Sequence, residues 1–355
     1  MEISEITDPG EFLAMRQEWN ALVEASAQPL LYSRHEWLWA WWRTYGEGRD
    51  LHVVQVREQG RLWGVFPLIA AAVTLGRVLP GRVAVPLAQG QCSYQDAVIG
   101  RGWEEKAVTS LLAHLQQRHP DWDALVLRKL HPGSVWLSLA ARGELGRQVR
   151  VWPEKLPAPY TYLPRRGEDL EGGWGHRLRS NQRRHLRALQ KLGQVEMIDL
   201  GDGPDMLAAL PHFLAQHEAR WGLENLLALG YERYREFVVA LTEEMAGSGL
   251  PHLLALTLDD KPVAYEYVFD YHQVRYSFML AWDPAYRHCG VGSLVVQHAL
   301  LTAVARGLDI YDFGAGTEEY KHYFSAYDRI PWGLAVPLKP GLKGRLLAYR
   351  EAREK

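Results

Sequence analysis

The stretch YDFGAGTEEYKHYF (311–324) places Asp312 inside an apolar run, follows it with two glycines, and sets Lys321 among aromatic side chains. A lysine shielded from water offers positive charge where a developing negative charge would gain most from it. Tyr320 and Tyr323 flank that lysine and carry exchangeable protons. A further candidate is Glu266, which interrupts the apolar strand VAYEYVF and would act as a base of raised pKa if buried. Alternation along an antiparallel strand predicts instead that Glu266 faces solvent.

Two other stretches could hold anions. In WDPAYRHCGVG (282–292) an apolar strand gives way to a helix, with Arg287, Gly290 and Gly292 at its N-terminus. Such a terminus points free backbone N–H groups outward, and glycine lets a phosphate approach closely. A pyrophosphate would suit it. In WGHRLRSNQRRHLRALQKLG (174–193) basic residues recur with no Asp or Glu between them. With Ser180 or Asn181 as N-cap, Arg183, Arg187 and Lys191 share one helix face, and Leu186, Leu189 and Leu192 seat another. The missing carboxylates point to an anionic partner: a phosphate, an RNA acceptor stem or an acidic glycan.

These stretches need elements to position them. Residues 11–24 are spaced as an amphipathic helix, and Ser33 is a plausible N-cap for a second, the tryptophan-rich HEWLWAWWRTYG, which reads as a helix packed into a core. A hairpin follows, LHVVQVREQGRLWGVFPLIAAAV, turning at 58–60, then short strands at 81–88 and 97–100, a helix over 103–118 and a strand at 122–127. Four prolines in WPEKLPAPYTYLPRRG predict an extended connector over 152–166, dividing an N-terminal domain (1–151) from a C-terminal one (167–355). The second half runs helix, strand, two helices, three strands, helix, strand, helix, strand, an alternation that predicts an α/β mixed sheet.

With 355 residues, 47% of them hydrophobic, the chain is long enough for two cores of about 150 residues each. A net charge of −2 provides no global field for DNA or an anionic membrane, so any polyanion site must be local. Two cysteines, Cys92 and Cys289, are too few for a disulfide framework and lack zinc-site spacing, so no metal is expected. The acidic N-terminus and the lack of a long apolar run predict a cytoplasmic protein without membrane insertion.

Arg287, Gly290 and Gly292 match the Gln/Arg-x-x-Gly-x-Gly/Ala phosphate loop of the GNAT N-acyltransferase superfamily, and the hairpin before and α-β unit after it resemble the acetyl-CoA-binding core of that superfamily. The segment Ser180-Asn-Gln-Arg-Arg-His-Leu-Arg187 resembles the basic helix of the CelD/BioF2-like acyltransferases, relatives of the FemAB peptidoglycan aminoacyltransferases. Asp312-Phe313, Gly314, Gly316 and Tyr320-Lys-His-Tyr-Phe324 resemble their Tyr/Phe-Lys-x-x-Phe/Trp segment, with Ser325 where FemAB proteins carry glycine. The first half, through Phe66-Pro67-Leu68, also looks like the paired opening of CelD-like proteins.

The resemblance implies two tandem GNAT-like domains, the first degenerate and the second catalytic, with the acceptor near their junction. It implies acetyl-CoA or another acyl-CoA as co-substrate on Arg287, His288, Gly290, Val291, Gly292 and Ser293, its thioester near Ser277–Leu280 and Asp312. An amine of a small molecule or glycan would receive the acyl group, in polysaccharide or cell-envelope synthesis. Its pocket is expected to use variable loops at 221–234 and the connector. Lys321 would face the oxyanion, Asp312 would orient Lys321 or the substrate, and Tyr320 or Tyr323 would reprotonate the thiolate. Asn181, Arg183, Arg187 and Lys191 would bind substrate anions. Two alternatives stand beside this: a FemAB-type transferase using aminoacyl-tRNA, and a non-catalytic GNAT-like scaffold.

Overall fold

The computed structural model describes residues 1–75, 79–222, 230–339 and 344. Residues 223–229 of the expected acceptor loop lie outside these. The chain divides into two compact units: Met1–Pro157 with the chain from Ile330 onward, and Ala158–Arg329.

The first unit opens with β1 (Glu2–Ile6), α1 (Pro9–Ala14), α2 (Arg16–Ala25) and α3 (His35–Tyr45). Trp37 and Trp41 of α3 are buried, so the tryptophan cluster is core. Arg34, not Ser33, is the N-cap of α3; Ser33 lies in a buried 3-10 turn whose carbonyl accepts from Trp19 Nε1 at 2.8 Å. Next come β2 (Leu51–Glu58), β3 (Arg61–Leu75), β4 (Leu79–Pro86), β5 (Val98–Ile99), α4 (Glu104–Arg118), β6 (Ala124–Leu130), α5 (Val135–Ala141) and β7 (Arg150–Pro153). The β2–β3 hairpin turns on Gln59 (φ +51°) and Gly60 (φ +76°), the two-residue left-handed turn whose twist matches paired strands. The sheet runs β1-β2-β3-β4-β6, with β5 on β3, and only β4–β6 is parallel among these pairs. Ala107, Val108, Leu111 and Leu115 seat α4 on it beside Trp122 and Trp136.

The second unit holds β8 (Ala158–Tyr162), α6 (His176–Gln190), β9 (Val195–Asp199), α7 (Pro204–Trp221), α8 (Tyr231–Met245), β10 (Pro251–Leu258), β11 (Lys261–Tyr271), β12 (Val274–Trp282), α9 (Val291–Arg306), β13 (Ile310–Asp312), α10 (Glu319–Phe324) and β14 (Tyr327–Arg329). Its sheet runs β14-β8-β13-β12-β11-β10-β9. Only β12 and β13 are parallel, joined by the crossover helix α9. Apolar on most of its circumference, α9 buries Leu294, Val295, Val296, Ala299, Leu300 and Ala303 against the sheet. Arg275, fully buried, ties β12 to its neighbours: it donates to both carboxylate oxygens of Asp270 at 2.6 Å, to Ala299 O at 2.7 Å and to Thr302 Oγ1 at 2.6 Å.

Two features of β12 position the site. It pairs with β13 only from Val274↔Ile310 to Tyr276↔Asp312, so from Ser277 to Trp282 that edge has no strand partner among the described residues. On its other edge the register with β11 shifts at Tyr267/Val268, leaving Phe278 as an extra residue, and such a bulge bends a strand. The two parallel strands therefore part just after Ser277.

The last strand, β15 (Trp332–Pro337), pairs with β6 on one side and β7 on the other, completing the first unit's sheet. The expected boundaries are corrected accordingly. Residues 150–153 and 158–162 of the expected connector region are strands in different sheets, and the C-terminal strand belongs with the N-terminal half. Proline at strand ends and edges is compatible with pairing, which is why proline density misread this region. The basic helix also differs: α6 begins at His176 with Gly175 as N-cap, so Ser180 and Asn181 are interior, and Leu192 lies beyond its end, half exposed.

Candidate functional site

Glu266 is fully buried, against the expectation from alternation. Strand β11 is covered on both faces, because α9 packs on one and α7 with α8 shield the tyrosines of the other, so no face of it is left for solvent. Ser277 Oγ donates to Glu266 Oε1 at 2.8 Å, and the Tyr311 hydroxyl donates to the same oxygen. Oε2 is buried with no hydrogen-bond partner among the described residues. Burial outweighs the two hydrogen bonds and Arg275, and pushes the carboxyl up to about 7. Tyr320, on α10, hydrogen-bonds Ser277, and burial, with the charges of Glu266 and Glu318 adding, raises its phenol well above the usual range. Tyr320, Ser277, Glu266 and Tyr311 thus form one connected chain at the point where β12 leaves β13.

Lys321 is buried, as its aromatic setting predicts, but it does not pair with Asp312. Its Nζ donates to Gly314 O (3.3 Å) and Ala315 O (3.2 Å) and lies 3.0 Å from Glu318 Oε2, closing the loop between β13 and α10. Gly316 in that loop (φ +151°) has no room for a side chain: a Cβ would lie 2.7 Å from Lys321 Nζ. Asp312 is also fully buried; its Oδ1 accepts from Gly314 N at 2.8 Å and its Oδ2 from Arg329 Nη1 at 2.7 Å. Asp312 therefore anchors β13 and the following turn to β14, and the expected orientation of Lys321 by Asp312 is corrected. Tyr323 is 52% exposed and so faces solvent and not this cluster.

The glycine loop forms a 3-10 turn, Pro284–Cys289, capped by Asp283, whose Oδ1 accepts from Ala285 N. Gly290 (φ +62°) then starts α9 in the left-handed conformation that favours glycine. Arg287 and His288 are exposed at this terminus. Val291 is buried in the core and Ser293 Oγ accepts from Gln182 Nε2 at 2.6 Å, so neither side chain is open; only their backbone remains a candidate. A Cβ at Gly292 would come within 2.8 Å of Trp282, and one at Gly290 would overlap the His185 ring of α6. Helix α6 thus lies on the loop, seated by Leu178, Leu186 and Leu189.

The outer face of α6, with His176, Arg179, Arg183, Arg184, Arg187 and Lys191, lines a surface groove. No carboxylate pairs with these cations among the described residues. Asn181 is half-buried beside them. Sequence reasoning missed Arg220, at the end of α7. Its Nη1 donates to Leu280 O at 2.6 Å and its guanidinium lies over Trp282 and Trp221. Burial lowers its pKa, against the pull of Tyr320 and Glu318. Nothing local marks it, because its meeting with β12 is tertiary. Ser277 and Tyr311 fell within the stretches singled out but carry no recognisable motif.

Residues 176–322 match the model of a family described as an acetyltransferase (GNAT) domain. Over 100% of both chains the structure is similar to FemX, with a TM-score of 0.63 and 13% identity. It is similar to L-PGS from Bacillus licheniformis over 100% of both chains (TM-score 0.56, 10% identity), and to a tandem GNAT protein from the clavulanic acid biosynthesis pathway over 96% of this chain and 100% of that one (TM-score 0.50, 14% identity). No curated protein matches in sequence. No helix among the described residues is long and apolar enough to cross a membrane.

Proposed function

With a FemAB-related, tandem GNAT-like fold as the premise, we propose that this protein is an acyl-CoA-dependent N-acyltransferase that moves an acetyl or longer acyl group from a thioester to a primary amine. The observation that carries this reading is the chain Tyr320–Ser277–Glu266 at the parting of β12 and β13, with a glycine-started helix N-terminus at the far end of the same gap. The N–H groups of Val291 and Gly292, with Arg287 beside them, would hold the pyrophosphate. The pantetheine arm would run along the unpaired edge of β12 from Trp282 towards Ser277, bringing the thioester carbon to Tyr320.

The neutral amine then attacks the carbonyl carbon, forming C–N as the carbonyl π pair moves onto oxygen. Arg220, which donates to Leu280 O, and Lys321 supply the positive field for that oxyanion. Collapse breaks C–S, and the thiolate takes its proton from Tyr320. Ser277 and Glu266 relay the proton released by nitrogen back to Tyr320, so the proton lost by the amine ends on sulfur. Asp312 and Lys321 keep the loop beneath this centre in place.

A second reading, a FemAB-type transferase using aminoacyl-tRNA, is favoured by one observation: α6 lies over the glycine loop and turns an unpaired basic face outward. Titration calorimetry with acetyl-CoA and longer acyl-CoAs separates the two. The acyl-CoA reading expects saturable binding that Arg287→Glu weakens at least tenfold with no change in Tm. Absence of binding to every acyl-CoA, with binding to tRNA that falls steeply with salt, would replace it by the second reading.

A further inference from the structure

We propose that Glu5, His114 and His119 form a binding site for a zinc-class divalent transition-metal ion in the first unit. Glu5 lies on β1, His114 in the last turns of α4, and His119 is the residue at which α4 ends. One ligand atom from each lies within 4.8 Å of the other two. His114 Nε2 is 3.1 Å and His119 Nε2 3.0 Å from Glu5 Oε2. Zinc bonds of about 2.0–2.2 Å at tetrahedral angles separate neighbouring ligand atoms by roughly 3.4 Å, so both histidine–carboxylate separations lie within a few tenths of an ångström of that spacing, and a modest turn of the imidazoles would admit the ion. Two imidazoles and one carboxylate are a donor set such an ion accepts, with the fourth position left to water.

The surroundings hold these groups as a ligand set would be held. The His119 ring stacks on the buried Trp122, with centroids 3.9 Å apart and planes 14° apart, which fixes its direction. His52 Nδ1 stands 2.5 Å from the other oxygen of Glu5, while its Nε2 is buried without a partner among the described residues, so Nδ1 carries the proton and orients the carboxylate. The three ligand side chains are 11–15% exposed, enclosed yet reachable. None of these residues belongs to the acyl-transfer site. The expectation of no metal rested on cysteine count and spacing, whereas positions 5, 114 and 119 come together only through the pairing of β1 with β2 and the packing of α4 across them.

The test uses the full chain stripped with EDTA and titrated with ZnCl2, together with His114→Gln, His119→Gln and, as a control, His322→Gln, an exposed residue of the second unit. Expected are one zinc ion per chain, a loss of at least tenfold in affinity for each of the first two variants, and no change for the control. CoCl2 should give the visible absorption of a four-coordinate nitrogen and oxygen site in the wild type. Absence of saturable zinc binding, or equal affinity in all variants, would overturn the proposal. Should either variant fail to fold, the wild type alone decides: a zinc-dependent rise in Tm with the cobalt spectrum supports the site, and the lack of both sinks it.

Discussion

At the residue scale the second unit concentrates its polar chemistry in very few buried groups. Glu266 is the most informative, because its carboxyl is held at about 7 against an ordinary 4.5. Between those values the folded state keeps a proton the unfolded state has released, so stability falls as pH rises through that window and the loss is complete above about 7, of order 3 kcal/mol. Glu266→Gln cannot ionise and should gain stability relative to the wild type between roughly pH 5 and pH 8 in denaturant titrations; parallel curves would mean that Glu266 ionises as freely as on a surface. In the proposed relay Tyr320→Phe should lower kcat by roughly 10²–10⁴ while Tyr323→Phe leaves it nearly unchanged, since one phenol meets Ser277 and the other meets solvent. Equal effects would remove Tyr320 from its assigned role. Of this cluster Glu266, Tyr320 and Lys321 were legible in sequence as polar groups among apolar ones. The partners were not: Asp312 takes Arg329 and Lys321 takes Glu318, choices set by which side chains the turn after β13 brings within reach.

At the element scale the loop starting α9 and the helix α6 depend on each other. Gly290 combines a positive φ with the His185 ring where a side chain would go, so Gly290→Ala should destabilise the unit by about 1–3 kcal/mol and displace α6 as well. A Tm within error of the wild type would show that α6 moves aside freely. Cations along α6 repel one another, so Arg187→Glu should leave stability unchanged or raise it by about 0.5 kcal/mol at low salt. A clear loss would show that Arg187 has a structural partner. The R-x-x-G-x-G spacing made the strand-to-helix turn readable, because only glycine tolerates that conformation at little cost. The N-cap of α6 was misread, since Ser and Asn are favoured caps, yet Leu178, which precedes both and packs on the core, carries the helix back to His176.

At the scale of the whole molecule, the order along the chain is not the order in the sheets. Strand β15, from the end of the described chain, fills the gap between β6 and β7 and buries Leu334 and Val336 in the first unit's core. A fragment of residues 1–157 should therefore lack a cooperative unfolding transition, whereas the same fragment with residues 330–339 joined to it through a flexible linker should regain one; a cooperatively folding 1–157 would contradict this reading of the unit. The sequence by itself determined what depends on near neighbours: the helices and hairpins, the two-core size, and the glycine loop opening α9, because period, turn residues and positive-φ glycine act within a few positions. Which residues meet was settled by packing between distant segments. Glu266 is buried because helices cover both faces of its sheet, Arg220 reaches β12 from α7, β15 joins the first sheet, and Glu5 finds His114 and His119. Such contacts arise from burying apolar surface between distant segments, and no local pattern encodes them.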